Sequence, residues 1–192
     1  MRNPIRLKNL SLRFLPYYAL GLAILVFYPV RPEGLALGVG PVLFGAAIRS
    51  WGAGHLVKND VLTLSGPYAH LRHPLYLGTI AVATGFALMV GGWLALGLLA
   101  LVWPWFAMHY FPRKEKSESR RLEGLYGDAF RTYRASVPAL WPRLRPYANL
   151  TGDIPGQRWS LSRYSENNEL GTLLALVLGV FVFWLRASGR FG

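Results

Sequence analysis

The sequence predicts an all-α, polytopic membrane protein of about five transmembrane helices, with a helical hairpin and a cytosolic amphipathic segment. Three observations predict it. Of 192 residues, 53% are hydrophobic and only 16% charged, whereas a soluble domain carries about 25% charged residues. Charges are absent from four long stretches, 14–30, 34–48, 74–111 and 170–185. The Lys and Arg residues crowd onto alternate connecting segments, as the positive-inside rule requires.

The first stretch gives a span at about 14–31. A basic segment precedes it, and no small-x-small cleavage site follows Tyr28-Pro29-Val30-Arg31. It therefore reads as a signal anchor rather than a removed signal peptide. The second span, 33–57, runs through Arg49, whose side chain then snorkels or points into the bundle. The stretch 74–111 is about twice the roughly 20 residues that one helix needs to cross a bilayer. Gly91-Gly92 divides it into spans at 74–90 and 92–111. The last span covers 168–186. Pro and Gly punctuate 142–156, an irregular connection along the membrane surface. Three blocks follow: 1–58 with the first two helices, 59–142 as the core, and 143–192 with the surface connection and last helix.

With five spans, 18 of the 21 Lys and Arg lie on one side, and Arg31, Arg186 and Arg190 on the other. The crowded side is cytoplasmic, which puts the N-terminus inside and the C-terminus outside. The membrane is a bacterial-type inner membrane or another internal one. The net charge of +12 is thus mostly a topology signal, with an attraction for anionic headgroups. Nucleic acid is not an expected partner, because no aromatic-basic interleaving lies outside the spans. Oligomeric state is left open. With no cysteine, a disulfide scaffold, a thiolate zinc site and a cysteine nucleophile are excluded. His55, His70, His73 and His109 form no recognised ligand pattern, so no metal is implied.

Two polar clusters exceed what a membrane protein needs. The segment 65–78 packs two His, one Arg, two Tyr, two Pro and two Gly into the mouth of a span. Pro67, Pro74 and Gly66 make it rigid. Arg72 and His73 are donors suited to a carboxylate or phosphate. An interfacial anchor has the same composition. The second cluster, 113–122, follows the fourth span. Helical spacing puts Leu122, Tyr126, Phe130 and Tyr133 on one stripe. Extended backward, that stripe passes Glu118 and then Lys114/Glu115. Glu118 thus faces the bundle, where a carboxylate needs a partner and is a functional candidate. The bland alternative is an exposed ion pair with Lys114. Gly127 is read as ending that helix and Asp128 as starting another. Gly38 and Gly40 read as close helix packing. Gly52 and Gly54 lie nearer the polar segment, where a ligand can approach the backbone.

The order of these pieces resembles the integral-membrane isoprenylcysteine carboxyl methyltransferase and phospholipid methyltransferase group, from about residue 48 to 142. Arg72, His73, Pro74 and Tyr76 carry the RHPxY signature. Leu122, Tyr126, Gly127, Phe130, Tyr133, Val137 and Pro138 carry the downstream spacing. One departure stands out: the group shows a pair of Glu before the Leu, and here Glu118 is followed by Ser119. The resemblance implies a cytosol-facing pocket for S-adenosylmethionine and a lipid-like or prenylated acceptor entering from the bilayer. It implies catalytic roles for Glu118, Arg72 and His73. It also implies a cofactor site drawn from Tyr68, His73, Pro74, Tyr76, Gly78, Gly52, Gly54, Lys114, Glu118 and Tyr126. Within it Arg72, His73 and Lys114 suit a carboxylate; Glu118, Tyr76 and Tyr126 suit a sulfonium or ammonium. A prenylcysteine carboxyl O-methyltransferase is the leading expectation. A phospholipid N-methyltransferase, a nicotinamide-dependent sterol-type reductase of the same fold, and a non-catalytic relative are the alternatives.

Overall fold

The computed structural model describes residues 23, 28–58, 60–147 and 158–190. The expected first span apart from residues 23 and 28–31, the basic segment before it and most of the 142–156 connection lie outside the described residues. Helix α1 is Pro32–His55, α2 is Pro74–Val90, α3 is Gly92–Trp105, α4 is Phe111–Ser136, α5 is Leu161–Glu166 and α6 is Glu169–Ala187. A four-residue 3-10 helix, Gly66–Ala69, precedes α2, and a π-helical segment, Phe106–Tyr110, joins α3 to α4. Among the described residues there is no strand. Three helices, Pro32–His55, Gly92–Ser136 (α3 through α4) and Glu169–Ala187, are long and apolar enough to cross a membrane, and Pro74–Val90 is a shorter apolar helix. Leu37, Trp93, Leu101 and Leu178 project outward from these helices, which suits a hydrocarbon surround that supplies no hydrogen bonds.

Glycines bring α1 and α2 together. A Cβ added at Gly38 would sit 2.3 Å from the Gly85 carbonyl oxygen, and one at Gly85 would sit 2.6 Å from that of Gly38. Gly45 and Gly78 meet in the same reciprocal way, at 2.5 and 2.7 Å. The two pairs run in opposite directions along the chain, so the helices are antiparallel. Small residues at such contacts let backbones approach where lipid gives no hydrophobic drive. Gly38 therefore packs as expected, while a Cβ added at Gly40 would point into open space, with no neighbouring helix within 4 Å. Gly91 and Gly92 both adopt positive φ, 77° and 57°, at the junction of α2 and α3. Trp103 Nε1 in α3 donates to Thr84 Oγ1 in α2 at 3.0 Å.

The C-terminal segment closes the end of α1. The last carbonyls of a helix have no partner within it. Here Trp159 Nε1 donates to Ser50 O at 3.1 Å and the Ser160 amide to Gly54 O at 2.9 Å. Asn167 Nδ2 donates to Ala53 O and Leu56 O at 2.8 and 3.0 Å. Arg49 does not snorkel. Its guanidinium forks onto Glu169 at 2.7 and 2.9 Å and reaches Thr79 Oγ1 at 2.6 Å, tying α1 to α6 and α2.

Candidate functional site

The π-helical segment sets up one wall. Pro112 has no N–H to donate to a carbonyl one turn back. Just before it, the Phe111 amide bonds Phe106 O five residues earlier. Such bulges rotate the following residues and are frequent at functional sites. Here the rotation brings aromatic edges onto the 65–78 segment. Phe111 lies edge-on to His73 and Tyr76, at ring-centre distances of 5.6 and 6.1 Å, and Tyr110 edge-on to Tyr76 at 6.0 Å. His73 and Tyr76 stack on each other at 5.3 Å.

The 65–78 segment is held from the other side by the tail that follows α4. The Arg72 and His73 amides donate to Pro138 O and Ala139 O at 2.9 and 3.0 Å. The Arg143 and Tyr147 amides donate to His70 O and Ala69 O. Tyr133 Oη donates to Tyr68 O at 2.7 Å. Below lies a small core of Leu62, Phe130, Tyr133 and Val137, with Leu122 and Tyr126 against it. The predicted stripe of α4 is thus its buried face. Gly127 (φ 52°, ψ −127°) interrupts the helix in the middle of that stripe, a conformation glycine adopts without a Cβ penalty. Asp128 opens the second half and takes Arg131 Nη1 at 2.8 Å.

Two polar clusters distant in the chain meet here. Arg72 donates through Nε to Val137 O at 2.9 Å and through Nη1 to Glu115. His73 Nε2 pairs with the other oxygen of Glu115. His73 Nδ1 lies 3.4 Å from Glu118 Oε2, and Tyr76 Oη donates to Glu118 Oε1 at 2.5 Å. Buried Ser119 donates to Glu115 Oε1 at 3.1 Å. Burial pulls the His73 imidazole down, but Glu115 and Glu118 together outweigh it and hold it above its ordinary value. Burial pushes Glu115 up, yet His73 and Arg72 draw it down to about 2. Glu118 is also drawn down, against its burial, by His73 and Tyr76. Burial pushes the Tyr68 phenol up, so it stays a neutral hydroxyl.

Beside this cluster opens a cavity of about 270 Å³. Arg72, His73, Pro74, Tyr76, Tyr68, Glu118 and Tyr126, all expected at the site, line it. So do Leu56, Val57, Val61, Leu62, Leu75 and Leu122, with Lys58 and Arg121. Chemically it offers a carboxylate, phenols, cations and an apolar wall at one mouth.

Four expected residues stand elsewhere. Gly54 faces the Trp159 indole, 2.0 Å from where its Cβ would be, so its small size admits a tryptophan rather than a ligand. Gly52 packs on Pro74 and Leu75, and Gly78 on Gly45 and Arg49. Lys114 is exposed on another face of α4, in a surface depression with Trp105, His109 and Arg113. Lys114 also does not partner Glu118, which takes His73 and Tyr76. Glu115 and Ser119 join the cluster although neither is among the expected site residues: the stripe reaches Lys114 and Glu115 together, and the signal available in the sequence is a serine one helical turn after Glu115.

Residues 39–129 match the family model described as phospholipid methyltransferase. The chain is 34% identical over 120 residues to the cobalt-zinc-cadmium resistance protein CzcN of Cupriavidus metallidurans, covering 62% of this chain and 53% of that protein. It is 31% identical over 82 residues to the protein-S-isoprenylcysteine O-methyltransferase of Schizosaccharomyces pombe, covering 43% of this chain and 33% of that enzyme. The chain thus spans about half of one relative and a third of the other. No solved structure matches it. The resemblance read from the sequence is met in kind: the stretch 39–129, similar to the phospholipid methyltransferase model, takes in Arg72–Tyr76 and the first tail residues, Leu122, Tyr126 and Gly127.

Proposed function

We propose that this chain is an integral-membrane methyltransferase that uses S-adenosylmethionine and acts on a lipid-like acceptor, foremost the carboxyl group of a prenylated cysteine. The observation that carries this reading is the meeting of Arg72–Tyr76 with Glu118 at one cavity that also has an apolar wall. The donor set fits the group. A cation such as a sulfonium or amine favours Glu118 and the faces of Tyr76 and Tyr126. A carboxylate favours Arg72, Arg121 and Lys58. S-adenosylmethionine, when bound, supplies an electrophilic methyl carbon on a sulfonium that departs as a neutral thioether. Methyl transfer then needs in-line placement of the acceptor more than acid–base help.

The chain's own residues have limited tasks in this reading. Leu56, Val57, Val61, Leu62, Leu75 and Leu122 exclude water and offer an apolar path for an isoprenoid or acyl chain. Lys58 and Arg121 draw a carboxylate acceptor, which is already ionised and needs no base. A phospholipid amine is the second reading, favoured by the matched family description and by Glu118, whose carboxylate can accept an amine proton. In the membrane we place α2 and α3 as a hairpin with the cavity at the cytoplasmic side, the N-terminus inside and the C-terminus outside.

Purified protein in detergent, given methyl-labelled S-adenosylmethionine, is expected to label a farnesylated cysteine as a base-labile ester. Label in phosphatidylethanolamine instead selects the second reading. Binding of NADPH with no heat from S-adenosylhomocysteine overturns both.

A further inference from the structure

Glu115 faces the cluster from the side away from the cavity. It lines no part of the 270 Å³ space that Glu118 lines, yet it engages Arg72 and His73, which do. One oxygen takes Arg72 and the hydroxyl of Ser119, and the other takes His73 Nε2. The carboxylate is thus held at three points. Ser119 is 3% exposed and sits one helical turn beyond it, so its hydroxyl has a fixed direction. The consequence falls on His73. With Nε2 committed to Glu115, the ring can turn only Nδ1 toward the cavity, and Nδ1 faces Glu118. The charged and titratable groups around the ring are Arg72 and Tyr76 from its own segment and Glu115 and Glu118 from α4. Without Glu115, Glu118 would be the carboxylate left in contact with His73.

We propose that Glu115 is a positioning residue: it holds Arg72 and His73 from behind, orients His73 Nδ1–H onto Glu118, and so leaves Glu118 as the carboxylate presented to a cationic ligand group. Ser119 acts through it by fixing its carboxylate. This rests on the reading of the cavity as the methyl-donor site, and its consequence for the protein's own imidazole is independent of any ligand.

The test uses full-length protein in detergent with 15N-labelled histidine and the variants Glu115→Gln, Glu115→Asp and Ser119→Ala, with Glu123→Gln as a carboxylate of the same helix outside the cavity. The ring signals of His73 are followed against pH, and S-adenosylhomocysteine binding is followed by calorimetry. Loss of an opposite charge in contact lowers the pH at which an imidazole titrates. Glu115→Gln is therefore expected to move the His73 midpoint to lower pH and weaken S-adenosylhomocysteine about tenfold. Glu115→Asp should recover part of both, Ser119→Ala should act in the same direction more weakly, and Glu123→Gln should change neither. If Glu115→Gln unfolds, Ser119→Ala and Glu115→Asp carry the comparison. A His73 midpoint unchanged in the folded variants overturns the proposal. A parent protein that gives no heat with S-adenosylhomocysteine, while His73 still responds to Glu115, overturns the methyl-donor reading and leaves the positioning intact.

Discussion

Two clusters in this molecule pair cations with carboxylates, and they are built for different ends. Arg49 and Glu169 join three helices. The arginine forks onto both oxygens and adds Thr79 and the Leu75 carbonyl, and the Glu169 side chain is only 5% exposed. In the second cluster, Arg72, His73, Glu115 and Glu118 are linked in a chain, and the terminal Glu118 side chain remains 38% exposed, at a cavity. The contrast teaches where to look for chemistry among buried charges. A pair that closes on itself fastens helices, and a chain that ends at a cavity wall is available to a ligand.

The largest effect is expected at the closed pair. Arg49→Ala leaves Glu169 buried without its partner and should destabilise the protein by about 3–5 kcal/mol, seen as a lower unfolding temperature in detergent. Replacing both residues by leucine should recover most of that loss. A double variant no better than the single one would show that the pair is not a fastening alone. Next comes the open end. Glu118→Gln should keep the unfolding temperature and lower methyl transfer by at least about 100-fold. Equal losses of stability and activity would erase the distinction between the clusters.

The smallest effect is the pH response of the second cluster. His73 is held above its ordinary 6.5, so its contribution is complete below 6.5 and fades as pH rises through the higher folded value. Glu115 is held at about 2 against an ordinary 4.5, so its contribution is complete above 4.5 and fades as pH falls toward about 2. The difference in unfolding temperature between the parent and Glu115→Gln should therefore be greatest between pH 4.5 and 6.5 and shrink on both sides. A difference that keeps growing above that range would contradict the His73–Glu115 pairing.

Helix positions were readable because charge is excluded from long apolar segments. The expected 74–90 is α2, Pro74–Val90, and the expected 168–186 is α6, Glu169–Ala187. The expected 92–111 takes in α3 and the π-helical segment, whose register change no apolar run announces. The α4 stripe was also readable, from Leu122 to Tyr133, as was the inward turn of Glu118. Choosing between Lys114 and Glu115 was not, because neighbours about 100° apart on a helix both border a stripe. The role of Gly54 was hidden for another reason: the residue that fills its missing side chain, Trp159, is more than a hundred positions away.

By itself the sequence determined what must avoid water and what cannot. Hydropathy and charge are properties of each residue and its near neighbours, so they set the apolar helices, the rigid Arg72–Tyr76 segment and the family pattern around it. Only the tertiary structure decided which carboxylate meets which cation. Arg49 finds Glu169 across 120 positions, and Arg72 and His73 find Glu115 across 43 and 42. Those pairings depend on helix register, set here by reciprocal glycine contacts and a π-helical turn, and register is a property of packed surfaces rather than of any one segment.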